Sequence, residues 1–111
     1  MSDNASELDL ARLIAVPVGR IQRVLTAIYL RNYRDWLATY SDIEDATGYP
    51  LKDVKWFVGE LVKIGVVVRS YGMDDEGRLA GSGWWIPHKY HKLLDQLVDM
   101  VEKTDEGLPE A

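Results

Sequence analysis

Gly48, Pro50 and Gly65 stand close together and limit the chain more than any other feature. They cut its middle into a short helix, a tight turn and a second helix. Gly48 supplies the left-handed residue that commonly ends a helix. Pro50 suits a first helical turn, where its missing amide costs no internal hydrogen bond. Gly65 stops the second helix. Ahead of Gly48, Ser41-Asp42-Ile43-Glu44 fits a capping box: the hydroxyl accepts from an amide one turn on, and Glu44 reaches back to the cap amide. Asp42, Glu44 and Asp45 suit the positive end of the helix dipole. Between Pro50 and about Ile64, the residues Val54, Phe57, Val58 and Leu61 recur at helical spacing as an inner stripe.

The flanks follow the same logic. Ser6 is a candidate cap for a helix over residues 6–15, with Leu10, Leu13 and Ile14 on one side, interrupted by Pro17 and Gly19. A longer helix is predicted over residues 20–37. Its apolar positions are Ile21, Val24, Leu25 and Ile28, extended by Tyr29, Tyr33 and Trp36. Residues 66–71 read as a strand by β-branched content. Residues 72–83, with four glycines and three acids, read as a long turn, and 84–86 as the returning strand of a hairpin. A last helix is predicted over residues 88–103, where Tyr90, Leu94, Leu97 and Val101 make a heptad-like seam.

At 111 residues, 47% of them apolar, the chain fits a single domain with a core of its own. That domain is expected over residues 6–103, between a disordered N-terminus at 1–5 and an acidic disordered tail at 104–111. The absence of cysteine excludes disulfides and thiolate chemistry. No stretch has the roughly 20 apolar residues of a spanning helix, and the start lacks the basic leader of a secretory signal, so a cytoplasmic protein without membrane contact is expected. The formal charge is −5, unevenly placed. Residues 1–19 carry −2 and 93–111 carry −5, while 20–92 carry +2 from eleven bases and nine acids. Bulk acidity argues against coating nucleic acid by charge alone but leaves room for a local basic face.

The order of elements is helix, link, helix, turn, helix, hairpin, flanking helix. In it, Tyr40-Ser41-Asp42-Ile43-Glu44-Asp45-Ala46-Thr47-Gly48-Tyr49 is followed by the run from Val54 through Lys63-Ile64-Gly65-Val66-Val67. Over roughly residues 20–90 this resembles a winged helix-turn-helix domain, similar to bacterial MarR-type and related transcriptional regulators. Ile43, Ala46, Gly48 and Tyr49 match the first half of the motif. Val54, Val58, Leu61 and Gly65-Val66-Val67 match the run through the recognition helix into the first wing strand. The resemblance implies a mainly α fold with a small β-hairpin wing and flanking N- and C-terminal helices. It implies that Ala46 lies where the two motif helices cross. It places Lys52, Lys55, Trp56, Gly59 and Lys63 on a face free to enter the major groove, about 12 Å wide. Arg69 and the wing-tip Arg78 would add backbone or minor-groove contacts. Asp53, Glu60 and Asp74-Asp75-Glu76 depart from a basic reader.

The expectation that follows is a homodimeric, sequence-specific DNA-binding regulator of transcription. Its dimer interface is placed on Leu10, Leu13, Ile14, Tyr90, Leu94, Leu97 and Val101, because so small a monomer is not expected to bury both seams. The alternative is a winged-helix protein-interaction module, with Trp56 at the contact. No cofactor is expected, and no enzyme, since no phosphate loop or catalytic serine or histidine setting is present. His88 and His91 are too few for a metal site. Trp84 and Trp85 are expected on opposite faces of their strand, one toward the core and one over a helix, rather than as a stacking platform for a ligand or base. Tyr29, Tyr33 and Trp36 are expected in core or interface packing rather than around a small-molecule pocket.

Overall fold

The computed structural model describes the backbone of residues 2–73 and 79–106, and side chains at 6–72 and 81–105. Five helices and one hairpin follow in order: α1 (Ser2–Ala15), α2 (Arg20–Tyr33), α3 (Tyr40–Thr47), α4 (Leu51–Lys63), β1 (Val68–Met73), β2 (Leu79–Trp85), a 3-10 turn (His88–Tyr90) and α5 (His91–Glu106). The fold is thus mainly helical with a two-stranded antiparallel hairpin. Among the described residues no single helix is long and apolar enough to cross a membrane.

Helix α2 is the central element and touches α3, α4, α5 and β2. Its Val24, Leu25 and Ile28 are fully buried and join Ile43 of α3, Val54, Val58 and Leu61 of α4, and Leu94 and Leu97 of α5. The four-and-three spacing of these residues produces this convergence, since each helix turns one apolar stripe inward. Gly48 adopts φ +75 and its amide bonds the Glu44 carbonyl at 2.8 Å, so the glycine ends α3 as its position requires.

Several expected boundaries move, each for a local reason. The capping box uses Thr39 and Asp42 rather than Ser41 and Glu44. The Thr39 hydroxyl accepts from the Asp42 amide at 3.1 Å, and the Asp42 carboxylate accepts from the Thr39 amide at 2.9 Å. Helix α4 starts at Leu51, with Pro50 as an extended cap residue just outside it. Helix α2 ends at Tyr33 rather than Leu37, because Asp35 takes φ +63 and the buried Asn32 side chain binds the chain as it leaves the helix. Tyr33 and Trp36 consequently lie exposed and are not core residues, while Tyr29 is buried. The Arg31 guanidinium covers one side of Trp36 at 4.8 Å.

At the ends, α1 begins at Ser2, taking in residues expected outside the domain. Helix α5 continues to Glu106, past the expected end at Lys103, because Asp105 pairs with Arg23 of α2 at 2.7 Å. The Arg23 hydrogen bond holds the Asp105 carboxyl below its ordinary range. Residues 107–111 of the expected tail lie outside the described residues.

The two terminal seams are the largest correction. Leu10 and Ile14 of α1 pack into the same cluster as Tyr90, Leu94, Leu97 and Val101, and all six are buried within one chain; Leu13 is partly buried against them. Helices α1 and α5 face each other and α2, so the monomer does bury both seams. These side chains are not available as a dimer interface.

Candidate nucleic-acid interface

The hairpin carries the second part of the candidate surface. Its strands pair Val68 with Trp85, Arg69 with Trp84, Ser70 with Gly83, Tyr71 with Ser82 and Gly72 with Gly81. Strand β2 therefore starts at Leu79, well before the expected Trp84, and β1 starts at Val68, leaving Val66 and Val67 buried in the link. The small residues 80–83 have weak strand propensity; pairing with β1 and a second backbone contact hold them extended. That contact is a bridge between Ala38 and Trp84, with N–H to O distances of 3.1 and 2.8 Å. Gly83 permits it: a Cβ there would stand 2.8 Å from the Leu37 Cβ and 2.9 Å from the Ala38 carbonyl.

Trp84 spends its backbone amide and carbonyl on Ala38, so Arg69 and Trp84 form the non-hydrogen-bonded kind of cross-strand pair, in which side chains approach closely. The Arg69 guanidinium lies 5.7 Å from the Trp84 ring centre and donates to the Ser82 hydroxyl at 2.9 Å. Tyr71, two residues on, lies 6.0 Å from the same guanidinium on the same strand face. Trp84 in turn packs against Tyr40, the first residue of α3, with ring centres 5.7 Å apart. The ammonium of Lys55 in α4 lies 5.6 Å from the Tyr40 ring. One continuous row, Lys55–Tyr40–Trp84–Arg69, thus joins α4, α3 and the hairpin by cation–aromatic and aromatic contacts. A notch of about 200 Å³ between Thr39, Tyr40, Arg69, Ser82, Gly83 and Trp84 lies beside it.

The outward face of α4 carries the rest. Lys52, Lys55, Trp56, Gly59 and Lys63 are all exposed. At about 100° of rotation per residue they fall within roughly 100° of arc, opposite Val54, Val58 and Leu61. Trp56 is 61% exposed and braced edge-on by Phe57 at 5.2 Å. Gly59 sits in the helix interior, where it costs about 1 kcal/mol relative to alanine, and a Cβ added to it would meet nothing within 4 Å. The two acids of α4 lie to one side and are engaged: Asp53 with Arg20 at 3.7 Å, Glu60 with Lys63 at 3.3 Å.

Of the expected contact residues, the structure brings Lys52, Lys55, Trp56, Gly59 and Lys63 onto one helix face and links Arg69 to it through aromatics. Arg78 and the acidic tip at 74–76 lie outside the described residues. Ala46 is not at the α3–α4 crossing. It is exposed, beside Ala27 and Leu30 of α2, and Ile43 is the buried residue of α3. Tyr40 and Trp84 were not expected among the contact residues, because the row they form exists only once α3 meets β2. Trp84 and Trp85 are each half-buried, against Tyr40 and His88 respectively. The His88 and His91 rings lie 4.5 Å apart, and His91 Nε2 meets the Ile86 carbonyl at 3.0 Å. No cluster of three or more metal-ligating side chains is present among the described residues. No known protein family, curated protein or solved structure matches this chain.

Proposed function

We propose that the chain is a winged helix-turn-helix protein that binds double-stranded DNA sequence-specifically and regulates transcription as a homodimer, with α4 in the major groove and the hairpin as the wing. The observation that carries this reading is the row Lys55–Tyr40–Trp84–Arg69. It sets the exposed lysines of α4 and a hairpin arginine on one continuous surface, as a reader helix and wing sharing one duplex require. The ion pair of Asp53 with Arg20 supports it, since it draws that carboxylate off the axis of the lysine stripe; Glu60 pairs instead with Lys63 of the stripe.

The dimer part of the reading rests on the outward side of α1. Leu8 is 60% exposed there, next to a shallow groove lined by Glu7, Leu8, Ala11 and Leu93. Two copies of α1 laid antiparallel set Leu8 opposite Ala11 and Glu7 opposite Arg12, each contact occurring twice. That self-complementarity is what a two-fold interface demands.

The test is binding of a random duplex pool by the full chain at two salt concentrations. The expected result is salt-sensitive binding that K52E and K55E abolish, each lysine on a phosphate contributing about one to the log–log salt slope. No binding below about 100 μM in low salt overturns the reading, because even non-specific DNA binders reach that range.

A further inference from the structure

Three side chains with unspent donors line the notch between α3 and the hairpin. Its walls are Thr39 and Tyr40 at the start of α3, Arg69 on β1, and Ser82, Gly83 and Trp84 on β2, with no carboxylate among them. Arg69 gives a guanidinium N–H to the Ser82 hydroxyl at 2.9 Å and keeps others of its fork. Ser82 accepts that bond, so its own O–H is left to donate. The Thr39 hydroxyl accepts from the Asp42 amide at 3.1 Å and likewise keeps its O–H. Neither O–H has an acceptor among the described residues. Asp42 does not line the notch: its carboxylate accepts from the Thr39 amide at 2.9 Å and pairs with Arg31 at 3.5 Å. The Trp84 and Tyr71 rings, 5.7 and 6.0 Å from the guanidinium, hold Arg69 in place.

We infer that this notch is an oxyanion site that takes one phosphate of the DNA backbone. This rests on the DNA-binding reading and names the phosphate contact made where the hairpin meets the helix pair. A fixed guanidinium beside two hydroxyl donors suits a tetrahedral oxyanion, since the fork meets two of its oxygens and the hydroxyls meet the others. The notch measures about 200 Å³, the volume of roughly six or seven water molecules, so a phosphate group enters with part of its hydration. Its position favours a phosphodiester over a free anion. The notch lies along the row from Lys55 to Arg69, which in the DNA-binding reading follows the duplex from reader helix to hairpin.

The probe is the best-bound duplex from the random pool, resynthesised with a neutral methylphosphonate at each backbone position in turn. The expected result is one position per half-site where the wild type binds about tenfold more weakly and where R69Q and S82A bind no worse than the wild type. Other phosphates are expected to weaken all three proteins alike. S82A changes no charge, and it is expected to bind the unmodified duplex about fivefold more weakly with the salt slope unchanged. Urea titration of both variants separates a folding loss from loss of the site. In the DNA-free chain, inorganic phosphate at constant ionic strength is expected to shift the amide resonances of Thr39 and Ser82, and to leave them unmoved in R69Q. Salt-sensitive DNA binding with no position coupled to Arg69 and Ser82 overturns the inference and leaves the DNA-binding reading standing. Phosphate shifts without DNA binding overturn the backbone phosphate and the DNA-binding reading together, and assign the notch to free phosphate. Neither shifts nor DNA binding overturns both.

Discussion

The Tyr40 ring sits 5.7 Å from the Trp84 ring, tilted by 50°, and this one contact joins the helix pair α3–α4 to the hairpin. Lys55 and Arg69 lie against its two ends, so the spacing between the helix cations and the hairpin cation is set by two half-buried aromatic residues. Removing either ring is expected to cost more binding than its own contact with DNA explains. W84A is expected to destabilise the fold by about 3 kcal/mol and weaken DNA binding at least tenfold even where the variant remains folded. Y40F keeps the ring and is expected to bind as the wild type. Urea titrations paired with anisotropy measurements check both.

Asn32 carries the next prediction. It is buried, donates to the Trp36 carbonyl at 3.0 Å and the Trp84 carbonyl at 3.1 Å, and accepts from the buried Ile86 amide at 2.8 Å. One side chain therefore fastens the end of α2 to both ends of the Ala38–Trp84 bridge region. N32A removes this partner from the Trp36 carbonyl and the Ile86 amide, while the Trp84 carbonyl keeps its bond from the Ala38 amide, at about 1–3 kcal/mol for each group that stays unsatisfied. N32D keeps the shape but sets a carboxylate against two carbonyls and is expected to be no better. Equilibrium unfolding with an unchanged m-value is the check; a loss under 1 kcal/mol for both variants refutes the role.

These two cases mark what was legible in the sequence. Helices α3 and α4 and the turn between them were readable because their signals are local: Gly48 with its positive φ, and Val54, Val58 and Leu61 on one stripe. The lysine face was readable as the complement of that stripe. The Tyr40–Trp84 contact was not, since it joins residues 44 positions apart and depends on how α3 docks on β2. Strand β2 was misread before Trp84 because Ala80, Gly81, Ser82 and Gly83 carry no strand signature; pairing with β1 and the close approach of Gly83 to Ala38 hold them extended instead. The terminal seams were read correctly as apolar and assigned to the wrong partner. An amphipathic pattern specifies a buried face without saying whether another copy or another helix of the same chain covers it.

Tyr29 provides a pH prediction. Its hydroxyl donates to the Asp95 carboxylate, and His91 packs edge-on against its ring at 5.0 Å. Burial, then the hydrogen bond to Asp95, pushes the Tyr29 phenol above its ordinary value of 10.0. A group raised on folding contributes stability that is fully present below the unfolded value and lost as pH rises through the folded one. Tyr29 therefore favours the fold below pH 10 and loses that contribution progressively above it. The tyrosinate absorbance titration of the wild type minus that of Y29F isolates the residue. Its midpoint is expected above pH 10, and a midpoint at or below that value refutes the coupling.

The dimer reading is tested most sharply by exchanging charge across the proposed two-fold contact of α1. Within one chain Arg12 lies 3.7 Å from Asp9 and stays largely exposed, so it is free to meet Glu7 of a second copy. R12E sets Glu7 and a new glutamate opposite each other twice in the antiparallel register, and E7R does the same with two cations. Each single change is expected to shift a micromolar sample from dimer to monomer in light scattering. The double change, E7R with R12E, restores opposite charges in the same register and is expected to restore the dimer. Surface ion pairs are worth only about 0–1 kcal/mol each, so the effect relies on repulsion occurring twice at an interface whose apolar part is small. L8E removes that apolar part and is expected to give a monomer that no charge exchange rescues. None of these positions lies in α4 or the hairpin, so the monomeric variants are expected to retain salt-sensitive contact with a single half-site while losing affinity for the paired one. A wild-type chain that is strictly monomeric at micromolar concentration, or single variants that remain dimeric, would rule out this face.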